Sequence, residues 1–237
     1  MTVTRKVLNW YARLSPSRGH VTPPYSHVVQ IGDPRLRKVS EPVPPESIKT
    51  EQIQTIIKKL EVVINRYSSL GMSAPQIGVN MRIFAMQLTA LEIKITSPDI
   101  VFINPSLKIV DYRKVSHAEG CESVRGFSAE VPRYKEVEIS GLGPEGEPKS
   151  EKFKDWPARI AQHELDHLDG KLYTDIMDRK TLCCTCWEEV NVSQGKLPFS
   201  MVWSCRVRLI HDQIMYSPII GVHFFGCVLL GCTLLPC

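Results

Sequence analysis

The fold of this 237-residue chain is decided by the stretch Ile160-Ala161-Gln162-His163-Glu164-Leu165-Asp166-His167-Leu168-Asp169-Gly170. His163 and His167 are four residues apart, so a helix projects both imidazoles from one face, at the spacing that holds one ion between two nitrogens. Glu164 lies about 100° further around the axis, where it can reach a water on that ion. The pattern H-E-x-x-H is typical of metal hydrolases. The alternative is a solvated helix that carries two histidines by chance.

The residues around this stretch predict where the helix begins and ends. Asp155 is of a type that caps a helix start, and Pro157 suits the first turn. Gly170 suits the end, because glycine readily adopts the left-handed conformation that follows a last turn. We therefore expect one helix between Asp155 and Gly170.

Length and composition indicate one ordinary globular domain with extensions, or at most two small domains. A net charge of +4 is too small to indicate a nucleic-acid partner, and we find no basic run long enough for a binding stripe. Seven of the eight cysteines follow residue 180, and only Cys121 precedes it. Because a disulfide-stapled secreted domain would spread its cysteines through the chain, we predict that the main body is reduced and intracellular.

Residues 1–24 hold four basic side chains and no acidic one. Apolar residues between Val7 and Leu14 could form one side of a short helix beside these bases. This composition is typical of an organelle transit peptide, so we interpret residues 1–24 as a basic leader. The alternative is an N-terminal tail whose composition is accidental.

One further helix and several strands are predicted between the leader and the H-E-x-x-H helix. Apolar residues at helical spacing predict an amphipathic helix over Ser47–Tyr67. Strands are predicted at Arg82–Met86, at Ile100–Ile103 with Asn104-Pro105 ending it, at Leu107–Val110, and as a pair at Val131–Tyr134 and Val137–Ile139. A turn rich in glycine and proline is predicted at Gly141–Lys149.

Two loops carry further candidate residues. In Ser69–Gly78, glycine lets a ligand approach the backbone, and Gln76 offers an amide that both donates and accepts; such a loop is more often a simple turn. The second loop, Glu119–Val124, contains Cys121. A lone cysteine usually fills a core, but the polar neighbours of this one do not fit that interpretation.

Together these segments resemble the peptide deformylase family. The resemblance rests on Gly71-Met72-Ser73-Ala74-Pro75-Gln76-Ile77-Gly78, Glu119-Gly120-Cys121-Glu122-Ser123 and Gln162–Gly170, in that order and spacing, with support from Ile103-Asn104-Pro105 and Val131-Pro132-Arg133. Two positions depart from the usual pattern. Ser69 stands where the family has glycine, and Glu122 stands where bacterial members have leucine. The family's animal mitochondrial members share the acidic residue, which favours a mitochondrial enzyme.

The resemblance implies a metal centre and a set of catalytic groups. One divalent metal ion is expected on Cys121, His163 and His167, with one position open, as in catalytic sites generally. Ferrous iron is the expected ion, and zinc and cobalt are alternatives, since a thiolate and two imidazoles suit all three. Glu164 is expected to transfer protons. The Gln76 amide and the backbone N–H of Glu122 are expected to stabilise the oxyanion.

The implied reaction is hydrolysis of the formyl group from N-formylmethionyl peptides, the N-termini of newly made organelle-encoded proteins. The residues expected to bind the peptide are Leu70, Gly71, Gly120, Trp156 and Ile160. For the three apolar side chains of this set, ordinary core packing is the alternative. Arg133 and Asp166 are expected to be structural.

The resemblance covers roughly residues 25–181, which we take as the catalytic domain, and leaves residues 182–237 as a cysteine-rich apolar tail unrelated to the family. Cys183-Cys184-Thr185-Cys186 lacks a partner pair at finger-like spacing, so a structural zinc site is weakly indicated. The apolar run Ile219–Leu235 is short for a membrane span, which needs about 20 residues. We interpret the tail as an alternative terminus that packs poorly; a tail anchor, through which the chain would contact a membrane, is the alternative.

The expected fold is α+β, with short antiparallel sheets wrapped around a central metal-binding helix and the Ser47–Tyr67 helix outside. Two other functions stay open at this point. One is an H-E-x-x-H metalloprotease with a different third ligand. The other is a catalytically impaired isoform with an altered C-terminus. The oligomeric state is open as well, a homodimer included.

Overall fold

An antiparallel sheet with a helix on each face forms the centre of the protein. The computed structural model describes residues 21–88 and 99–196, so the predicted leader up to residue 20 and the apolar run Ile219–Leu235 lie outside the described residues. The strands are β1 (Gly71–Ser73), β2 (Ile83–Gln87), β3 (Asp99–Gly120), β4 (Phe127–Leu142), β5 (Pro148–Lys154) and β6 (Cys183–Cys184). The helices are α1 (Glu51–Tyr67), α2 (Trp156–Leu168) and α3 (Trp187–Val192), and single 3-10 turns lie at Pro34–Arg37, Pro45–Ser47, Ala74–Ile77, Tyr173–Asp175 and Arg179–Thr181.

All strand pairs are antiparallel, in the order β1-β2-β3-β4-β5, and β6 pairs beside the start of β4. Side chains on β2 alternate between the two faces of the sheet, as a strand requires. Ile83 and Ala85 belong to the apolar cluster beneath α1, whereas Phe84 and Met86 belong to the cluster beneath α2. The predicted α+β class with an antiparallel sheet is confirmed.

Helix α1 confirms the predicted amphipathic helix but begins later than Ser47. Its buried face packs mainly on β1 and β2. The start moves to Glu51 because Pro45–Ser47 forms a separate 3-10 turn and Thr50 is extended. The end at Tyr67 matches the prediction.

The predicted strands Ile100–Ile103 and Leu107–Val110 are one strand, β3, so the expectation that Asn104-Pro105 ends a strand is wrong. The register with β4 shifts between Ile103 and Ser106, and pairing then resumes. Asn104 has a φ of 52°, and its side-chain amide accepts a hydrogen bond from the Val43 backbone N–H (2.8 Å) and donates one to the Val43 carbonyl (2.7 Å). These bonds stabilise the irregularity, so the strand bends there and continues.

The predicted strand pair at Val131–Tyr134 and Val137–Ile139 is likewise one strand, β4. A proline inside a strand usually requires an edge, because it has no N–H to donate. β5 pairs with β4 only from Glu136 onward, and β6 pairs only with Phe127 and Ser128. Pro132 therefore lies where one side of β4 has no strand beside it. β5 was not predicted, because its residues are mostly polar and give little hydrophobic signal.

Helix α2 contains the stretch Ile160–Leu168, whose spacing predicted a helix, and most of its side chains are buried. Asp155 does occupy the cap position, but the expected side-chain cap is wrong: its φ is 56° and its side chain makes no capping hydrogen bond. Pro157 lies in the first turn as predicted. Gly170 follows the end with a φ of 72°, and a Cβ there would lie 2.8 Å from the Arg37 carbonyl oxygen, so glycine is needed.

The first residues of the predicted tail are part of the fold. Cys183 pairs with Ser128 and Cys184 with Phe127, and the Cys186 side chain is buried. The structure therefore has no break at residue 182, and the tail packs on the sheet as far as Cys186, whereas α3 buries none of its residues. Among the described residues, no helix combines the length and apolar character that a bilayer span requires.

Candidate metal centre and active site

A thiol and two imidazoles meet at one point beside α2. The donor atoms of Cys121, His163 and His167 all lie within 4.8 Å of one another. The Cys121 Sγ lies 3.3 Å from His167 Nε2, and the two imidazole rings are nearly perpendicular, with centroids 4.9 Å apart. The structure thus brings together the three residues that are predicted from the sequence as metal ligands.

The spacing of these donors fits a small metal ion. Bonds of about 2.3 Å to sulfur and about 2.0–2.1 Å to nitrogen place two tetrahedral donors roughly 3.5 Å apart, close to the distance between Cys121 and His167. Burial lowers the pKa of His167 well below its ordinary value, which keeps that ring neutral, the form that binds metals. The residues present therefore fit a divalent ion.

Cys121 reaches the histidines because β3 ends directly before it. A turn follows, in which the Val124 N–H donates to the Cys121 carbonyl at 2.9 Å and the Ser123 N–H lies 3.4 Å from the Cys121 sulfur. The thiol is only partly buried and lines the cavity, and the side chain also packs against a small apolar cluster that includes Val124 and Tyr173. Cys121 therefore contacts both the core and the candidate site.

Glu119 holds His163 in position. Its carboxylate accepts a hydrogen bond of 2.7 Å from His163 Nδ1, which leaves Nε2 for an ion. It also accepts two hydrogen bonds from Arg133 and one of 2.9 Å from Arg159. Burial alone would raise the pKa of Glu119, but the bonds from His163 and Arg133 outweigh it and hold the pKa well below its ordinary range. Glu119 is thus a buried anion that orients the ring of a candidate ligand.

Glu119 and Arg159 are not among the residues that the sequence predicts to act at this site. Arg159 precedes His163 by four residues, so the helical period places both on one side of α2, and this spacing was the available signal. Arg133 also pairs with Asp166, consistent with the structural role expected for both. These contacts join β3, β4 and α2 around the metal centre.

Glu164 lies beside the candidate ligands and faces the same cavity. Its side chain is 3% exposed, and its Oε2 is buried without a hydrogen-bond partner among the described residues. Burial raises the pKa of Glu164 to about 7. A carboxyl group that binds and releases a proton near neutral pH is suited to general acid–base chemistry.

Gly71 makes room for this carboxyl group. A Cβ at position 71 would collide with the carboxylate of Glu164. The absence of a side chain at Gly71 is therefore required by the position of Glu164, and the close approach of a peptide to Gly71 stays a prediction.

The side chain of Gln76 is held in one orientation. Its Oε1 accepts hydrogen bonds from the backbone N–H (2.9 Å) and the hydroxyl (3.1 Å) of Ser73. Its Nε2 therefore points towards the Ser123 hydroxyl at 3.3 Å and the Cys121 sulfur at 3.7 Å. The donor end of the amide faces the site, as an oxyanion donor would require.

A cavity of about 220 Å³ opens in front of these groups. It is lined by every residue predicted to bind substrate or to act in catalysis, namely Leu70, Gly71, Gln76, Gly120, Glu122, Trp156, Ile160 and Glu164. Leu70 and Ile160 also pack on the apolar cluster beneath α2. These two side chains therefore line the cavity and pack in the core at the same time.

Other cavity residues were not predicted. Arg125, which pairs with the predicted Glu122 at 3.2 Å, and Phe127 also line the cavity. Thr185 comes from beyond the region of family resemblance and also lines it. Thr185 is distant in sequence from the other cavity residues and belongs to no recognised motif. Its position in the cavity therefore could not be predicted from the sequence.

Comparison with known sequences identifies the same region of the chain. The sequence model of the family described as polypeptide deformylase matches residues 25–182. The chain is 43% identical over 185 residues to the human protein "Peptide deformylase, mitochondrial", covering 73% of this chain and 76% of that one. It is 36% identical over 184 residues to "Peptide deformylase 1A, chloroplastic" of tomato (Solanum lycopersicum), covering 73% of this chain and 65% of that one.

Comparison with solved structures agrees. A peptide deformylase from Synechococcus elongatus, solved in complex with actinonin, is 30% identical and superposes with a TM-score of 0.60, covering 68% of this chain and 84% of that one. A peptide deformylase from Legionella pneumophila is 26% identical with a TM-score of 0.59, covering 73% of this chain and 99% of that one. The antiparallel α+β fold is thus shared with solved members of one enzyme family.

Proposed function

Because this chain belongs to the polypeptide deformylase family, we propose that the cavity in front of Cys121, His163 and His167 is where it removes the formyl group from N-formylmethionyl peptides. The chain is a metal-dependent hydrolase of protein biosynthesis that releases formate. The observation that carries the assignment of the site is the meeting of one thiol and two imidazoles within 4.8 Å, beside a buried glutamate.

Cys121, His163 and His167 are the proposed ligands of the divalent ion. Ferrous iron is our first choice, with zinc or cobalt as alternatives, since all three accept a thiolate and imidazoles. When bound, such an ion polarises a carbonyl and acidifies water, to a pKa of about 7 in zinc enzymes. Glu119 supports this site by fixing the ring of His163.

Glu164 is the proposed proton carrier. Its carboxylate takes a proton from the attacking water as the water oxygen bonds to the formyl carbon. It then delivers this proton to the nitrogen as the carbon–nitrogen bond breaks, which leaves formate and a free N-terminal methionine. A pKa of about 7, raised by burial, suits both directions of transfer.

Gln76 and Glu122 are the proposed oxyanion donors. Negative charge grows on the formyl oxygen during attack, and the oriented Gln76 Nε2 and the backbone N–H of Glu122 would donate to it. Removing one such donor typically costs about 3 kcal/mol of transition-state stabilisation. The fixed orientation of the Gln76 amide supports this role.

The apolar part of the cavity would hold the methionine side chain. Leu70, Trp156 and Ile160 supply this surface, and burying one methionine side chain contributes roughly 1.5–3 kcal/mol. Gly71 and Gly120 would admit the peptide backbone. The formyl group is small, so most of the affinity must come from these contacts.

The enzyme is of organellar type, and we place it in the mitochondrion. The human mitochondrial relative and the predicted leader over residues 1–24 support this location. Its substrates would then be nascent organelle-encoded proteins. Residues 25–181 carry the proposed catalytic groups, and the first residues of the following segment complete one wall of the cavity. A homodimer is the assembly to test, and a membrane contact would come only through the apolar tail. The metalloprotease interpretation is not retained, since the family differs.

Formate release from a formyl-Met tripeptide, measured together with metal content, tests this function. We expect E164A to retain the metal and to lose at least 100-fold in kcat/KM. E151Q, which changes a half-buried glutamate on β5, is the matched control and should retain full activity. Metal-replete protein that releases no formate would favour the impaired-isoform alternative.

A further inference from the structure

A pair of thiols lies against the substrate cavity, outside the metal centre. The sulfur atoms of Cys184 and Cys186 are 3.5 Å apart, and the structure contains no disulfide between them. Thr185, the residue between them, lines the cavity. We propose that Cys184 and Cys186 are a reversible modification site for hydroperoxides, at which disulfide formation changes how the cavity holds its peptide.

The geometry of the pair favours bond formation. A disulfide bond is about 2.05 Å long, so the two sulfurs must approach each other by roughly 1.5 Å. The Cys184 side chain is partly exposed and can meet a small oxidant, whereas Cys186 is only 2% exposed. The thiol of Cys183 instead lies 3.4 Å from the Cys184 carbonyl, so it serves as a matched control.

The chemistry balances with a hydroperoxide as the oxidant. The Cys184 thiolate attacks the outer peroxide oxygen, the oxygen–oxygen bond breaks, and an alcohol or water leaves, so that Cys184 becomes a sulfenic acid. The Cys186 thiolate then attacks the Cys184 sulfur and releases water after protonation. Two thiols are oxidised by two electrons in total, and one peroxide is reduced. A small dithiol reverses the change by thiol–disulfide exchange.

The contacts of Thr185 connect this pair to the cavity. The Thr185 N–H donates a hydrogen bond of 2.9 Å to the Gly126 carbonyl, and Gly126 and Phe127 line the same cavity. Cys184 also pairs with Phe127 in the sheet. A disulfide would restrict the backbone between the two cysteines, so we expect its formation to weaken the Thr185–Gly126 bond and to displace this wall of the cavity.

Mass spectrometry of the oxidised full-length enzyme tests the modification itself. The zinc-loaded protein is treated with hydrogen peroxide, alkylated and cut with trypsin. We expect the fragment Thr181–Lys196 of the oxidised protein to carry two alkyl groups fewer than the same fragment of the reduced protein. With the alkyl groups discounted, its mass should be lower by two hydrogen atoms. C183S should form the same bond, whereas C184S and C186S should not. Bond formation that persists in C184S or C186S, or that disappears in C183S, would overturn the proposal.

The kinetic readout rests on the proposed deformylase activity, whereas the mass readout does not. Oxidation should raise KM for a formyl-Met peptide about three- to tenfold, the range for one weakened hydrogen bond, with little change in kcat. A small dithiol should restore KM. C184S alters no fully buried side chain, and its KM should not respond to peroxide. A disulfide that leaves KM unchanged, or an equal response in C184S, would overturn the coupling.

Discussion

At the scale of single residues, the two candidate histidine ligands are held differently. His163 Nδ1 donates to the buried Glu119, whereas His167 Nδ1 is buried without a partner among the described residues. The ring of His163 is therefore oriented by a charge-assisted hydrogen bond and that of His167 by packing. A change at Glu119 should act on the metal through His163.

Replacing the Glu119 carboxylate is expected to weaken metal binding. E119Q should lower the affinity for zinc about 10- to 100-fold, the usual effect of removing an outer-shell partner of a histidine ligand. Competition with a chromophoric chelator measures this affinity, and circular dichroism verifies folding. E130Q, on the adjacent strand β4, is the control. An E119Q protein that binds zinc as tightly as the parent would show that Glu119 does not position His163.

A side chain at position 71 is expected to lower activity without preventing folding. In G71A, the added methyl group collides with the carboxylate of Glu164, so Glu164 must move away from the site. We expect kcat/KM to fall by at least about tenfold while the protein stays folded, because a small misplacement of a catalytic group is costly. In G120A the Cβ would meet its first neighbour, the Phe127 carbonyl oxygen, at 3.6 Å, an ordinary contact. G120A should therefore lose less activity, and equal losses would contradict this explanation.

At the scale of elements, two long strands bring distant residues to one helix. β3 begins beside β2 and ends directly before Cys121, and β4 returns with Arg133 towards α2. The Gln162 side chain on α2 accepts a hydrogen bond from the backbone N–H of Tyr134 on β4 and donates one to its carbonyl, both 2.9 Å long. Because Cys121 directly follows β3, its position depends on the path of this strand, including the irregularity at Asn104.

Asn104 should contribute measurably to stability. N104A loses both hydrogen bonds to Val43 and leaves alanine at a φ of 52°, a left-handed conformation that asparagine adopts more readily because its short polar side chain can hydrogen-bond locally. We expect a loss of about 3 kcal/mol in the free energy of unfolding, from two hydrogen bonds and one left-handed residue. N104G loses only the hydrogen bonds, so its loss should be smaller. Denaturant unfolding compares the two, and equal losses would show that the backbone conformation contributes nothing.

At the scale of the whole molecule, the first residues after 182 are continuous with the fold around the candidate site. It adds a strand to β4, buries Cys186 and supplies Thr185 to the cavity. Its first residues therefore form part of the cavity wall, although the family resemblance stops before them.

Two shortened chains test this integration. A chain that ends at residue 181 loses β6 and Thr185, so we expect a lower melting temperature and a KM raised several-fold, as for one or more lost hydrogen bonds. A chain that ends at residue 196 keeps every contact described here and should resemble the parent in KM. Thermal melts and formate-release kinetics measure both properties. If both shortened chains behaved alike, the segment would not take part in the site.

The sequence by itself determined α1, α2 and the ligand pair on α2, because the helical period is local and appears directly in residue spacing. It also determined the family through three short motifs, and with them Cys121, Gln76 and Glu164. Only the tertiary structure decided four other features: the irregularity at Asn104, the continuous strands β3 and β4, the hydrogen bonds of Glu119, and the position of Thr185 in the cavity wall. Each depends on contacts between residues far apart in sequence, and the spacing of these residues along the chain does not indicate that they are in contact.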